Sequence, residues 1–240
     1  MSGAVAALGP GARAALGRIL DLLASDPRSL TSVRDPGRAW EVHVADSLAG
    51  LEVAELAAAS AIADLGAGAG FPGLVLAAAL PAARVDLVES VGRKTDFIRA
   101  AIAAGPIANA AAIHARSEGW AREPPPAGGR EAYDAVAARA VGRLATVAEL
   151  ASPLLREGGV LVAWKGRRDR DEEAELGAAA GKLAMAPDRV LPVSPYPSSR
   201  NRHLHVIRKV APTPADLPRR PGRASKRRMR EAGEHGRSAQ

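Results

Sequence analysis

The chain has 240 residues, 47% of them hydrophobic, with a formal net charge of +7 and no cysteine. Lacking cysteine, it has no disulfides, thiolate metal sites or cysteine nucleophile. The five histidines show no HExxH-type spacing, so no metal site is expected. No apolar run approaches the roughly 18 residues of a membrane span, and no charged n-region with an apolar core opens the chain, so a cytoplasmic location is expected. The positive excess favours a polyanionic partner such as nucleic acid, although an Ala/Arg-rich composition also raises charge without any binding role.

Residues 1–9 are small and uncharged. Leu16, Ile19, Leu20 and Leu23 recur at i, i+3, i+4 and i+7, which predicts an amphipathic helix ended by Asp26-Pro27. Residues 34–37 read as a turn. Trp40 to Leu51 then looks helical, with Val44, Leu48 and Leu51 in its apolar line and His43, Asp46 and Ser47 beside it. From Ala61 the pattern alternates between strand and helix. Strands are expected at Ala61–Leu65, Ala82–Ser90, Ala110–Ala115, Tyr133–Val141 and residues 160–164, then at residues 189–193 and 203–209. Helices are expected at Lys94–Ala104, through Val147 and Leu150 to Leu155, and at Arg170–Leu183. Such alternation implies a mostly parallel sheet covered on both faces, with ligands at the carboxyl ends of its strands. The last two strands lack a long helix between them, which suggests an antiparallel insertion at one edge. Ser194-Pro195-Tyr196-Pro197 reads as a bend.

The rest is organised around Ala61 to Gly73, a strand followed by a glycine-rich turn and the start of a helix. Gly66, Gly68 and Gly70 stand at alternate positions, where a residue without a Cβ lets backbone approach a ligand. Gly68 to Gly73 also fits the G-x-G-x-x-G dinucleotide fingerprint, a weak signal by itself. Glu89, about twenty residues on, suits a ribose diol in either an NAD or an S-adenosylmethionine site. Asp64, just before the turn, opposes a cation such as a sulfonium and would repel a pyrophosphate. An NAD-dependent oxidoreductase and a non-catalytic RNA-binding protein remain alternatives at this point.

The stretch DLGAGAGFPGLVLA, with SLTSVRDP and HVADSL upstream, resembles the RsmG (GidB) family of ribosomal RNA methyltransferases. VESVGRKTDFIR, ARSEG, AARAV, WKG and RHLHVIRK extend the likeness over roughly Leu30 to Lys209. The resemblance implies an α/β, Rossmann-like class I S-adenosylmethionine-dependent methyltransferase fold, with a mostly parallel seven-stranded sheet. It also implies methylation of N7 of a guanosine in the 530 loop of 16S ribosomal RNA, so that the partner is that RNA or the small ribosomal subunit. By position, the family's cofactor contacts fall on Gly66, Phe71, Ser117, Glu118 and Arg139, with Glu89 on the ribose hydroxyls. Where Ser117 stands the family usually has alanine or valine, and where Gly119 stands a second acid. RNA contacts are expected at Lys165, Arg202, His203 and Arg227. No catalytic residue is assigned.

Three regions follow: an N-terminal helical region (1–51), a methyltransferase domain (52–210) and a disordered basic tail (211–240). Leu217 to Arg230 carries seven basic residues and two prolines with no apolar period. Removing Leu217 to Gln240 is expected to weaken RNA binding and flatten its salt dependence while sparing cofactor affinity.

Overall fold

The computed structural model describes residues 3–28, 30–33 and 35–222. Its strands are β1 (Ala61–Leu65), β2 (Arg84–Glu89), β3 (Ala110–His114), β4 (Tyr133–Arg139), β5 (Leu155–Lys165), β6 (Met185–Val193) and β7 (Arg202–Lys209). They form one sheet in the order β3-β2-β1-β4-β5-β7-β6. The first five pair in parallel, and β7 lies antiparallel between β5 and β6. The chain winds outward from β1 in both directions, so the crevice beyond the carboxyl ends of β1 and β4 is the switch point of the sheet.

Both faces are covered, and the strands show why. Ile62, Ala135, Ala137, Val160 and Val162 belong to one apolar core, while Ala63, Leu65, Val136, Ala138, Leu161 and Ala163 belong to the other. Successive side chains of a strand point to opposite faces, so a strand buried on both sides has to be apolar throughout. The first core is closed by the helices Pro10–Ser25, Gly73–Ala79 and Gly92–Ala104, the second by Leu144–Ala151 and Arg170–Ala180.

The helix Pro10–Ser25 has a proline in its first turn, buries Leu16, Ile19, Leu20 and Leu23, and stops at the extended Asp26 before Pro27. Each of those large side chains contributes roughly 1.5–3 kcal/mol by leaving water. The segment expected as one helix from Trp40 to Leu51 changes pitch along its length. It is widened over Trp40–Ala45, where the Asp46 N–H reaches back to the Glu41 carbonyl, α-helical over Asp46–Leu48, and tightened over Ala49–Glu52. Widened turns of this kind recur where a helix faces a functional site. This one carries His43 and leads into Asp46.

The fifth strand starts five residues earlier than residue 160, at Leu155, and the preceding helix ends at Ala151. Arg156, Glu157 and Gly158 are exposed, which hid this end of the strand from any apolar pattern. Residues after β7, expected to be structureless from 211, are packed as far as Gly222: Leu217 is 4% exposed and Arg219 pairs with Glu149.

Candidate active site

The glycine turn is fixed from two sides. The Gly66 and Ala67 N–H groups donate to the Val88 carbonyl at 2.9 and 3.2 Å, tying the turn to the end of β2. Glu89 lies beneath it, its Oε2 accepting from Gly68 N–H at 2.9 Å and its Oε1 from Val91 N–H at 2.8 Å. Asp64 Oδ2 accepts from Gly73 N–H at 2.7 Å, which pins the start of the following helix to the end of β1. Asp64 Oδ1 is buried with no hydrogen-bond partner among the described residues. Gly66 has φ +69°, the left-handed region that glycine occupies without strain.

A cavity of about 290 Å³ opens beside this turn, with Gly66, Ser90, Ser117, Glu118, Val141 and Gly222 among its lining residues. Three of the expected cofactor residues, Gly66, Ser117 and Glu118, therefore meet in one space. Glu89, between the lining residues Val88 and Ser90, does not line it; its two carboxylate oxygens lie on the Gly68 and Val91 N–H groups. Phe71 is elsewhere: it is 6% exposed, part of the first core, and stacked on His43 with ring centroids 4.8 Å apart. It braces the glycine turn against the early helical segment.

A second cavity, about 380 Å³, lies beyond the ends of β4 and β5. Arg139, Trp164, Lys165, Arg202, His203 and Asp46 line it, and Val141 borders both cavities. Arg139, expected on the cofactor, thus stands with three of the residues expected on RNA. The fourth, Arg227, lies outside the described residues. Lys165 is already engaged, its ammonium 2.5 Å from Glu172 Oε1 and 2.8 Å from the Gly142 carbonyl. His203 Nδ1 is 2.8 Å from the Gly166 carbonyl, a contact that only an N–H can make, so the neutral ring presents Nε2 as its acceptor.

Asp46 is the hub of this second cavity. Its Oδ2 accepts from Arg139 Nη1 at 3.0 Å and its Oδ1 lies 3.7 Å from Arg202 Nε. Its backbone carbonyl accepts from Trp164 Nε1 at 2.8 Å. Arg139 Nη1 also donates to the Val42 carbonyl at 3.0 Å. The sequence placed Asp46 beside the apolar line of a helix and nothing more. Two arginines from distant strands meeting on it left no local pattern.

The family model described as rRNA small subunit methyltransferase G, GidB, matches residues 19–196. The chain belongs to the GidB family. A relative named ribosomal RNA small subunit methyltransferase G from Rubrobacter xylanophilus is 40% identical over 209 residues, 85% of this chain and 78% of that protein. One of the same name from Roseiflexus sp. strain RS-1 is 41% identical over 202 residues, 83% of each chain. Among solved structures, a SAM dependent methyltransferase from Aquifex aeolicus superposes with TM-score 0.56 at 15% identity, over 77% of this chain and 99% of that one, a likeness of fold. A protein described as a predicted O-methyltransferase from Agrobacterium tumefaciens gives TM-score 0.52 at 26% identity, over 70% and 81%. The expected fold class stands: this GidB-family chain has the Rossmann-like, class I methyltransferase architecture.

Two buried groups close to the glycine turn of this GidB-family chain, outside both cavities, titrate in opposite senses. Burial, with the Arg139 charge nearby, pushes His43 down from 6.5 to about 4. Burial raises Asp64 from 3.8 to about 7; the Gly73 N–H and Arg139 oppose the rise and Glu89 adds to it. The depressed histidine contributes stability that is present above its unfolded value of 6.5 and lost as pH falls toward about 4. The raised carboxyl contributes stability that is full below 3.8 and lost as pH rises through about 7. Between those limits the two slopes oppose each other, each approaching about 1.4 kcal/mol per pH unit for a whole proton. Urea unfolding across that window should show Asp64→Asn gaining stability with rising pH and His43→Gln losing it. Parallel slopes in the two variants would show that neither group is held neutral.

Proposed function

We propose that the protein is an S-adenosylmethionine-dependent methyltransferase that transfers a methyl group to N7 of a guanosine in the 530 loop of 16S ribosomal RNA. The observation that carries this is the pair of cavities meeting at Val141 over the β1/β4 crevice, one beside the glycine turn and one ringed by Arg139, Arg202 and His203. The residues present fit the cofactor. Glu89 and Glu118 offer acceptors for ribose hydroxyls and the adenine amine, and the buried Asp64 Oδ1 at the end of β1 is left without a partner among the described residues. When bound, the cofactor supplies an electrophilic methyl on a sulfonium.

Guanine N7 carries a lone pair and no proton, so the chain has to align, not deprotonate. Arg139 and Asp46 hold one another at the mouth of the second cavity, and Trp164 fixes Asp46 through its backbone. Arg139 and Lys165 there are already paired with acids, so RNA phosphates reaching them exchange for carboxylates, while Arg167, on the same cavity, has no acid partner among the described residues. In A-form RNA the groove holding N7 is closed to side chains, which suits a target in an open loop. We assign cofactor binding to residues 52–210. The helical region 1–51 supplies Asp46 to the second cavity, and the basic residues beyond Gly222, Arg227 among them, contact phosphate. No helix among the described residues is long and apolar enough to cross a membrane, and we place the protein in the cytoplasm.

Transfer of labelled methyl to small subunits lacking the modification, mapped by cleavage at 7-methylguanosine, tests the proposal. Label at one guanosine of the 530 loop is expected. Label at another nucleotide would keep the cofactor and retire the substrate, and an absence of transfer would leave only RNA binding.

A further inference from the structure

Beyond β7 the chain turns back across the second core and ends its described course on the cofactor cavity. Val210 N–H donates to the Ala184 carbonyl at 2.9 Å, and the Thr213 N–H and hydroxyl both donate to Glu131 Oε1, at 2.9 and 2.6 Å. Leu217 is buried in the second core, its carbonyl accepting from Arg130 at 3.0 Å. Arg219 clasps Glu149 with two parallel hydrogen bonds, a bidentate geometry that fixes direction as well as charge. Gly222 then donates its N–H to Glu118 Oε1 at 2.9 Å and lines the cavity itself. These anchors come from the turn before β6, the loop before β4, the helix Leu144–Ala151 and the helix Ser117–Trp120.

We propose that residues 210–222 form a wall of the cofactor cavity, and that Gly222 and Arg219 are positioning residues that set the Glu118 carboxylate for the adenine amine. The assignment rests on the cofactor reading above. With Oε1 taken by the strap, the orientation of the carboxylate is fixed and Oε2 is left to accept. A 6-amino group donates to it. A 6-oxo group in the same place presents an acceptor and is repelled. A site built to receive a hydrogen bond rejects an analogue that cannot make it. Removal of Leu217 to Gln240, expected from the sequence to spare the cofactor, takes away the half of this wall that carries Arg219 and Gly222.

The test compares binding of S-adenosylhomocysteine and S-inosylhomocysteine by calorimetry, using the full chain and single variants. Gly222 has φ +78°, and Gly222→Pro both removes the donor and forbids that backbone. In this variant, and in Arg219→Ala, adenosyl affinity should fall about tenfold while inosyl affinity stays nearly level, the loss expected of one charge-assisted hydrogen bond. Arg219→Lys should restore part of the preference. In methyl transfer, KM for the cofactor should rise with kcat kept. Unchanged adenosyl-to-inosyl ratios in both variants would overturn the proposal, as would equal loss of both ligands. A native chain that binds neither nucleoside would instead remove the cofactor reading and the strap's role with it.

Discussion

Gly66→Asp is expected to abolish cofactor binding, lowering affinity by at least about 100-fold, while the protein stays folded. Gly66 lines the cavity beside the turn, and a Cβ there would stand 3.1 Å from Val141 Cγ2. At φ +69° a side chain costs about 1–2 kcal/mol, and aspartate tolerates that region better than most residues. For a chain of this size that amounts to a few degrees in Tm, too little to unfold it. The larger effect is local. The carboxylate enters a cavity that already holds Glu118, with Glu89 beneath the turn, fills space the ligand needs and repels the carboxylate of its amino-acid moiety. Gly66→Ala separates the two contributions: it pays the backbone cost and the contact with Val141 but adds no charge, and should lose about tenfold or less. Calorimetric titration with S-adenosylhomocysteine, beside thermal unfolding followed by circular dichroism, measures both. Native affinity in Gly66→Asp would mean that this cavity is not the cofactor site.

The parts of the site that were legible are those made by neighbours in sequence. Gly66 follows the apolar strand Ala61–Leu65 directly and was singled out by that pattern, whereas Ser117 and Glu118, just after β3, were singled out by the family resemblance; the structure lines one cavity with all three. Class I architecture was legible for the same reason: β1, β4 and the second half of β5 place apolar residues in both cores, and successive strands from β1 to β6 are separated by helices. What remained hidden depends on groups far apart in the chain. Asp46 acts through Arg139, Trp164 and Arg202, and only the folded sheet brings those together. Phe71 was expected at the cofactor because of its motif, yet its ring is claimed by His43. Lys165, at a strand end that usually faces solvent, is taken by Glu172 from the next helix. The strap was hidden most thoroughly. Its anchors are single contacts without period, and basic composition pointed to disorder. Leu217, an isolated large apolar residue amid basic ones, was the one local trace of packing.

Asp46→Ala is the second substitution with a large expected effect, and it divides the two cavities. The Asp46 and Arg139 side chains are 9% and 18% exposed, so their 3.0 Å pair is largely out of water. Among the described residues, removing the carboxylate leaves Arg139 with only the Val42 carbonyl and leaves Arg202, whose Nε already has no hydrogen-bond partner there, without its nearby acid. Uncompensated buried charge costs about 3–5 kcal/mol; the remaining exposure of Arg139 puts the expectation at the lower end, about 3 kcal/mol. Methyl transfer to RNA should fall by about 100-fold or more, because a displaced cation no longer holds the acceptor in line. Cofactor affinity should change only a few-fold, since Asp46 does not line the cavity beside the glycine turn. Asp46→Asn keeps the shape and one acceptor oxygen, and should recover most of the stability but less of the rate. A double-mutant cycle with Arg139→Gln makes the argument quantitative: the double variant should be more stable than the sum of the single losses predicts, by about 1–3 kcal/mol, because removing both charges removes the unpaired one. Additive losses would show that the two side chains are neighbours without being partners, and the positioning of the acceptor would then have to rest on Trp164 and Arg202 instead.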